Sequence, residues 1–161
     1  MEEYPESVTK KCHEKILDQI NNSIGIINEN EVGLFGKLKY QNKDIYVLII
    51  NNYIKDEDYK GKINIEINKY TKFIELDNII YKNIDDKISI IKLKEKDNNI
   101  KYIEIDNKLI ENEYEINYDN ESIYIIQYNN IDNILMSYGV IKEINNNEII
   151  YTGNIKSNYL K

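Results

Sequence analysis

Short runs in which isoleucine alternates with polar residues are the feature that most limits how this chain can fold. Ile63, Ile65 and Ile67 alternate with Asn64 and Glu66, and the same alternation recurs near 88–93 and 102–105. Successive side chains of a β-strand point to opposite faces, so this period predicts strands with one buried face. Although the chain is rich in asparagine, isoleucines that stay in phase favour an ordered fold over disorder.

Turn-forming Asn, Asp and Gly residues divide the β pattern into many short segments. We expect strands near 23–29, 31–40, 44–51, 61–67, 70–76, 79–82, 86–94, 101–106, 122–129, 133–144 and 147–153. One segment differs, because Val8, Cys12, Ile16 and Ile20 recur every four residues. This spacing predicts a helix from about Lys10 to Asn22. Many short strands without interleaved helices are typical of a sandwich or a barrel.

Composition argues against several classes of function. The net charge is −7 and Arg is absent, which argues against binding to nucleic-acid phosphates. No apolar run approaches the ~18 residues that a membrane helix needs, and the acidic start is unlike a secretory signal. A single Cys cannot form an intramolecular disulfide. We therefore expect a soluble, cytoplasmic protein that binds neither nucleic acid nor membrane.

The residues that could carry chemistry form no metal or catalytic pattern. His13 is the only His, and too few nitrogen or sulfur ligands accompany it to build a metal site. The acidic run at 56–58 begins like a calcium loop, but Lys60 and Ile67 occupy positions that need oxygen ligands. Gly33 and Gly36 lack the ending of a phosphate loop and indicate β-bulges or close strand packing instead. No cofactor and no metal are predicted.

Several short motifs follow one another in a recognisable order. In chain order they are Tyr4-Pro5-Glu6-Ser7-Val8, Glu31-Val32-Gly33-Leu34-Phe35-Gly36, Leu48-Ile49-Ile50-Asn51-Asn52-Tyr53-Ile54, Lys87-Ile88-Ser89-Ile90-Ile91-Lys92 and Ser137-Tyr138-Gly139-Val140-Ile141. This order resembles that of intracellular trypsin-like serine peptidase domains, which have the two-barrel chymotrypsin fold. The resemblance implies a complete first β-barrel from about Ile24 to Leu93. It implies a second barrel with roughly half of its usual strands.

The resemblance also implies where a catalytic triad would lie, and this chain differs at each position. The family's catalytic His corresponds to Tyr53, and the Asp that orients this His corresponds to Lys87. The family's Gly-x-Ser-Gly-Ser-Pro nucleophile loop is not found after Thr152, and Ser157 lacks its glycine turn. Because an unperturbed Tyr has a pKa of ~10, it is a poor general base at neutral pH. Tyr53 and Lys87 are thus degenerate positions, and no catalytic residue is predicted.

We expect a mainly β protein with an N-terminal segment and short helix (1–22), a complete first barrel (23–98) and a partial second barrel (99–161). The leading hypothesis is a non-catalytic pseudoenzyme, a truncated or decaying relative of the peptidases that acts at most as a binding module. The alternatives are one half of a split serine peptidase completed by another chain, and a structural β-protein. The expected partner is an unknown protein or a second copy, bound through second-barrel strands near 123–126 and 149–151.

Overall fold

The computed structural model describes residues 10–52, 61–83, 87–105, 118–130, 133–145 and 148–156. These residues are mainly β, and the expected helix is confirmed as α1 (Lys10–Ser23). The strands are β1 (Ile24–Ile27), β2 (Glu31–Tyr40), β3 (Lys43–Ile50), β4 (Lys62–Ile67), β5 (Tyr70–Asn83), β6 (Ile88–Leu93), β7 (Ile103–Glu104), β8 (Ser122–Asn130), β9 (Asn133–Asn145) and β10 (Glu148–Lys156). The chain divides into two units: residues Lys11–Glu111 hold β1 to β7, and the other unit holds β8 to β10.

Six strands of the first unit close into an antiparallel barrel. Around the barrel the order is β1, β4, β5, β6, β3 and β2, and β2 pairs again with β1. The chain therefore forms two meanders, β1–β2–β3 and β4–β5–β6. The second meander begins beside β1, which is a Greek-key arrangement. The expected closed barrel between Ile24 and Leu93 is confirmed.

Residues with positive φ make the tight turns between barrel strands. Gln41 and Asn42, with φ of 49° and 62°, connect β2 to β3, and Asn68 and Lys69, with φ of 49° and 66°, connect β4 to β5. Two consecutive residues with positive φ form the hairpin turn whose twist matches the flanking strands. Asparagine adopts this region more readily than most residues, so these turns form without glycine.

The short strand β1 closes the barrel because it pairs along both of its edges. Ile27 pairs with Glu31 on β2 and with Ile65 on β4. Beyond the strand, the Asn28 N–H donates to the carbonyl oxygen of Asn64 at 3.0 Å. The Asn64 N–H in turn lies 3.4 Å from Asn28 Oδ1. These contacts extend the β1–β4 junction past the end of β1.

Aliphatic side chains and one phenylalanine fill the barrel interior. The buried cluster contains Ile27, Phe35, Leu48, Ile50, Ile63, Ile65, Ile67, Ile74, Leu76, Ile91, Leu93 and Ile100. On β4 the buried residues alternate with exposed or half-buried ones, as the isoleucine spacing predicts. Gly33 lies against this core, since a Cβ there would overlap Ile27 and approach Leu48 Cδ1 to 2.7 Å. Of the two alternatives expected for Gly33, a bulge or close strand packing, the structure shows close packing.

Strand β5 corrects the expectation of two separate strands at 70–76 and 79–82. It is one strand whose pairing with β6 shifts register between Leu76 and Ile79 and again between Ile79 and Tyr81. A bulge places extra residues in one strand of a pair and interrupts the alternation of buried and exposed side chains. The broken alternation therefore marks a bulged strand, and it does not mark a turn.

The segment after β6 connects α1 to the barrel. Ile100 is buried in the core cluster, and the Lys101 N–H donates to the carbonyl oxygen of Asn22 at 2.9 Å. Tyr102 meets Phe35 edge to face, with 6.3 Å between ring centroids. β7 then pairs in parallel with β2, beyond the part of β2 that β1 covers. The strand expected at 101–106 is reduced to the two residues of β7.

Asp97 anchors this segment through both its side chain and its backbone. Its carboxylate accepts hydrogen bonds from Lys72 Nζ at 2.7 Å and from the Asn99 N–H at 2.8 Å. Its own N–H donates to the Tyr102 hydroxyl at 3.0 Å. Partial burial acts to raise the pKa of Asp97, but the Lys72 and Asn99 contacts outweigh it and lower the pKa below its ordinary value. The anchor is thus an ionised carboxylate at neutral pH.

The second unit contains a three-stranded antiparallel sheet in the order β8, β9, β10. Ser137 and Ile141 on the central strand are buried, whereas Ile149, Ile150 and Tyr151 on β10 are exposed. The three strands expected here are confirmed: β8 and β9 each end one residue later than expected, and β10 begins one residue later and ends three residues later. The described residues form an open sheet, so a second barrel stays a prediction.

The Asp97 anchor predicts a specific dependence of stability on pH. A carboxylate whose pKa is lower in the folded state contributes stability above its unfolded pKa of ~3.9, and this stability is lost as pH falls through the folded pKa. Asp97→Asn should therefore lower the free energy of unfolding at pH 7 more than at pH 3. Lys72→Met, which removes the ammonium partner, should have the same effect in urea titrations. Variants whose loss of stability is equal at both pH values would contradict the anchor.

Candidate functional site

The two strand ends where the resemblance predicts catalytic residues meet at one end of the barrel. β3 ends at Ile50, β6 begins at Ile88, and the antiparallel ladder pairs Ile50 with Ser89. We call this place the β3–β6 end and define it by residues 51–52 and 87–89, together with Glu31 at the start of β2. It is the candidate functional site.

Hydrogen bonds around Asn52 hold the β3–β6 end together. Ser89 is fully buried, and its Oγ donates to the carbonyl oxygen of Asn52 at 2.8 Å. Asn52 Nδ2 donates to Glu31 Oε1 at 2.5 Å. The segment that leaves β3 is therefore tied to β6 on one side and to β2 on the other. Asn52 directly precedes the position at which the resemblance predicts the base.

Of the two degenerate catalytic positions, the structure describes Lys87 and not Tyr53. Lys87 is exposed and lies in the turn before β6, with a positive φ of 52°. The β3–β6 ladder ends at the Ile50–Ser89 pair, so Lys87 lies two residues before this pair on one strand and Asn52 two residues after it on the other. Tyr53 follows Asn52 but lies outside the described residues. The proximity of the Tyr53 and Lys87 side chains therefore stays a prediction.

The described part of the β3–β6 end provides hydrogen-bonding groups and no activated nucleophile. Nucleophilic catalysis needs a hydroxyl or thiol within hydrogen-bond reach of a base. The Ser89 hydroxyl donates to the carbonyl oxygen of Asn52, and the Ser89 side chain is fully buried. Ser89 therefore acts as a structural residue. Asn51 and Lys87 are exposed and present an amide and an ammonium group to solvent, whereas the exposed Asn52 donates its side-chain N–H to Glu31.

An aromatic cluster lies beside the barrel core, and sequence reasoning missed it. The Tyr46 and Tyr102 rings lie 4.7 Å apart between centroids, and Lys96 Nζ lies 5.5 Å from the Tyr46 ring. Burial raises the pKa of the Tyr102 hydroxyl, which accepts the hydrogen bond from the Asp97 N–H. No motif connects residues so far apart in sequence. The cluster holds the segment after β6 against the barrel and brings no nucleophile or metal ligand set together.

A depression follows the bulged part of β5. Its lining includes Leu76, Asp77, Ile79 and Tyr81. Asp77 is paired with Lys92 at 2.8 Å, and Lys82 also lines the depression. The depression therefore offers a mixed surface of apolar side chains, one ion pair and further polar groups. It brings together none of the residues that the sequence predicts for a site.

Other expected features have no counterpart in the described part of the chain or lie outside it. Within the described residues, no group of three or more His, Cys, Asp or Glu side chains could hold a metal ion. No helix there is long and apolar enough to cross a membrane. The acidic run at 56–58 and Ser157 lie outside the described residues, as does the side chain of His13.

No family model matches the chain, no curated protein matches its sequence, and no solved structure matches its fold.

Two fully buried serines provide a matched test of how Ser89 supports the β3–β6 end. Ser89 donates to Asn52, whereas Ser23 Oγ has no hydrogen-bond partner among the described residues. Ser89→Ala should lower the free energy of unfolding by ~1 kcal/mol, because it removes a hydrogen bond. Ser23→Ala should leave stability unchanged or raise it, because an unpaired buried hydroxyl is removed. If chemical denaturation showed that both variants lose the same free energy of unfolding, these roles of Ser89 and Ser23 would be contradicted.

Proposed function

We propose that this chain is a degenerate trypsin-like peptidase domain that has lost catalysis and acts as a binding module. The observation that carries the proposal is a closed six-stranded barrel in which the ends of β3 and β6 meet. In the family that the sequence resembles, these two strand ends carry the catalytic His and the Asp that orients it. Here the corresponding residues are Tyr53 and Lys87.

The hydrogen bond between Ser89 and Asn52 supports this assignment. The motif order predicts that Tyr53 and Lys87 belong to one barrel end, although more than thirty residues lie between them in sequence. Asn52 is adjacent to Tyr53, and Ser89 follows Lys87 by two residues, so their 2.8 Å contact agrees with the prediction. If β3 and β6 were not neighbours in the barrel, the structure would not support the prediction that Tyr53 and Lys87 share one barrel end.

The residue types at these positions support a non-catalytic role. A carboxylate orients a catalytic His by accepting a hydrogen bond, whereas the ammonium group of Lys87 can only donate. A phenol with a pKa of ~10 is a poor general base at neutral pH. Loss of triad members in sites of this kind costs ~10⁴–10⁶ in rate. The proposal therefore keeps the barrel as a scaffold and assigns the β3–β6 end to binding through Asn51, Asn52 and Lys87.

The proposal predicts that the purified chain has no serine peptidase activity. We expect no covalent labelling by a phosphonate probe for active serines and no turnover of a broad peptide library. An active trypsin-like peptidase treated in parallel provides the positive control. Labelling of any serine, or turnover that is lost in Ser157→Ala, would contradict the proposal and favour a functional or reconstituted peptidase.

Cross-linking tests whether Tyr53 and Lys87 share one barrel end. In a Cys12→Ser background, a Tyr53→Cys/Lys87→Cys double variant should cross-link rapidly with a short bismaleimide. The matched control is Asn42→Cys/Lys87→Cys, because Asn42 lies in the turn at the opposite end of β3. Both products can be read as a shift in mobility and by mass spectrometry. Equal yields from both pairs, or none from the Tyr53 pair, would contradict the family assignment.

A further inference from the structure

β10 (Glu148–Lys156) forms an edge of the sheet in the second unit. Among the described residues it pairs with β9 only. Side chains in its first half are exposed on both faces: Ile149 is 46% exposed, Ile150 44% and Tyr151 36%. The free edge of such a strand presents unpaired N–H and C=O groups that can continue the sheet with another strand.

Within the described residues, the edge of β10 away from β9 lacks three features that usually prevent strand addition: a bulge in the strand itself, a proline and a charge near its centre. The β9–β10 ladder contains a bulge, but its extra residue is Lys142 on β9, because Ile150 pairs with Glu143 and Tyr151 with Ile141. β10 itself therefore runs without interruption. Natural edge strands are protected by bulges, prolines or charges within the strand. β10 has no proline, and its seven residues from Ile149 to Ile155 carry no charge.

We propose that two copies of this chain associate through their β10 strands, which pair antiparallel about a two-fold axis at Thr152. The charges at the two ends of the strand favour a second copy of this chain as the partner. β10 begins with Glu148 and ends with Lys156, so this pairing sets the Glu148 of each copy opposite the Lys156 of the other. Opposite charges directly across an antiparallel pair are stabilising, and like charges are destabilising. Parallel pairing in register would instead set like charges beside each other.

The same register gives favourable partners at the centre of the strand. Thr152 faces Thr152 of the second copy, and threonine pairs can hydrogen-bond across strands. Tyr151 faces Gly153 of the second copy, where an aromatic ring can cover the exposed glycine backbone. A shift of two residues would lose both charge pairs, so a single register is specified.

The opposite edge of the same sheet does not have this self-complementarity. β8 (Ser122–Asn130) contains no charged residue, so its sequence does not favour one register or one orientation. The inference depends only on the β8–β10 sheet and goes beyond the proposed function. A functional peptidase could still form this dimer, and a catalytically silent chain could fail to form it.

A matched pair of lysine substitutions tests the β10 interface. Thr152→Lys sets two ammonium groups against each other at the two-fold axis, and Thr152 is exposed, so the fold should persist. Ser122→Lys is the control, because Ser122 is also exposed and flanks the same β9 residue, Val140, from the β8 side. In sedimentation equilibrium we expect a wild-type dimer, a dimer Kd raised ~10-fold or more by Thr152→Lys, and no change with Ser122→Lys. Circular dichroism of each variant confirms folding.

Charge reversal tests the register. Glu148→Lys and Lys156→Glu should each raise the dimer Kd by ~10-fold, because two opposite-charge pairs become like-charge pairs. The double variant should return close to the wild-type Kd. A wild-type chain that stays monomeric at the highest concentration reached would overturn the proposal. So would association that is insensitive to Thr152→Lys, a double variant that fails to recover, or assembly into particles larger than dimers.

Discussion

The pairing of β1 with β4 turns a six-stranded sheet into a barrel, and the rest of the first unit depends on it. β1 has four residues, yet Ile26 and Ile27 both pair with β4, and Asn28 continues the junction to Asn64. Closure removes the two edges that an open sheet would expose. It also covers Ile27 and Ile65, neither of which is accessible to solvent. A strand too short to be stable alone is therefore maintained by partners on both edges.

The candidate site depends on the pairing of β6, β3 and β2, which lie side by side in the barrel and so fix which strand ends meet. Ser89, Asn52 and Glu31 connect β6, β3 and β2 at one end through two hydrogen bonds. These contacts are structural and do not require a catalytic group at the neighbouring positions. A scaffold can therefore persist after its chemistry has changed, since function depends on the residues at a site and does not follow from the fold. Tyr53 and Lys87 are the positions at which we propose that this change occurred.

The local sequence pattern predicted where the strands and the helix lie better than it predicted which strands pair with each other. The spacing of Ile63, Ile65 and Ile67 correctly predicted the buried face of β4, because a strand's faces follow from its period. The same period cannot identify which strand lies alongside, so the β1–β4 junction was not predictable from it. The Asp97 anchor was missed because its partner Lys72 is distant in sequence. At the candidate site, the order of the motifs predicted which strand ends would meet. The hydrogen-bonding roles of Ser89 and Glu31 became visible only in the folded structure.

Native-state hydrogen exchange of the backbone amides tests barrel closure most directly. If β1 closes the barrel, the hydrogen-bonded amides of β1 and β4, including that of Asn28, exchange only through global unfolding. Their opening free energies then equal those of the central strands β3 and β6 and fall with denaturant at the same slope. Amides of β1 and Asn28 that exchange without protection, while β3 and β6 stay protected, would show a sheet open between β1 and β4 and would contradict the closed barrel.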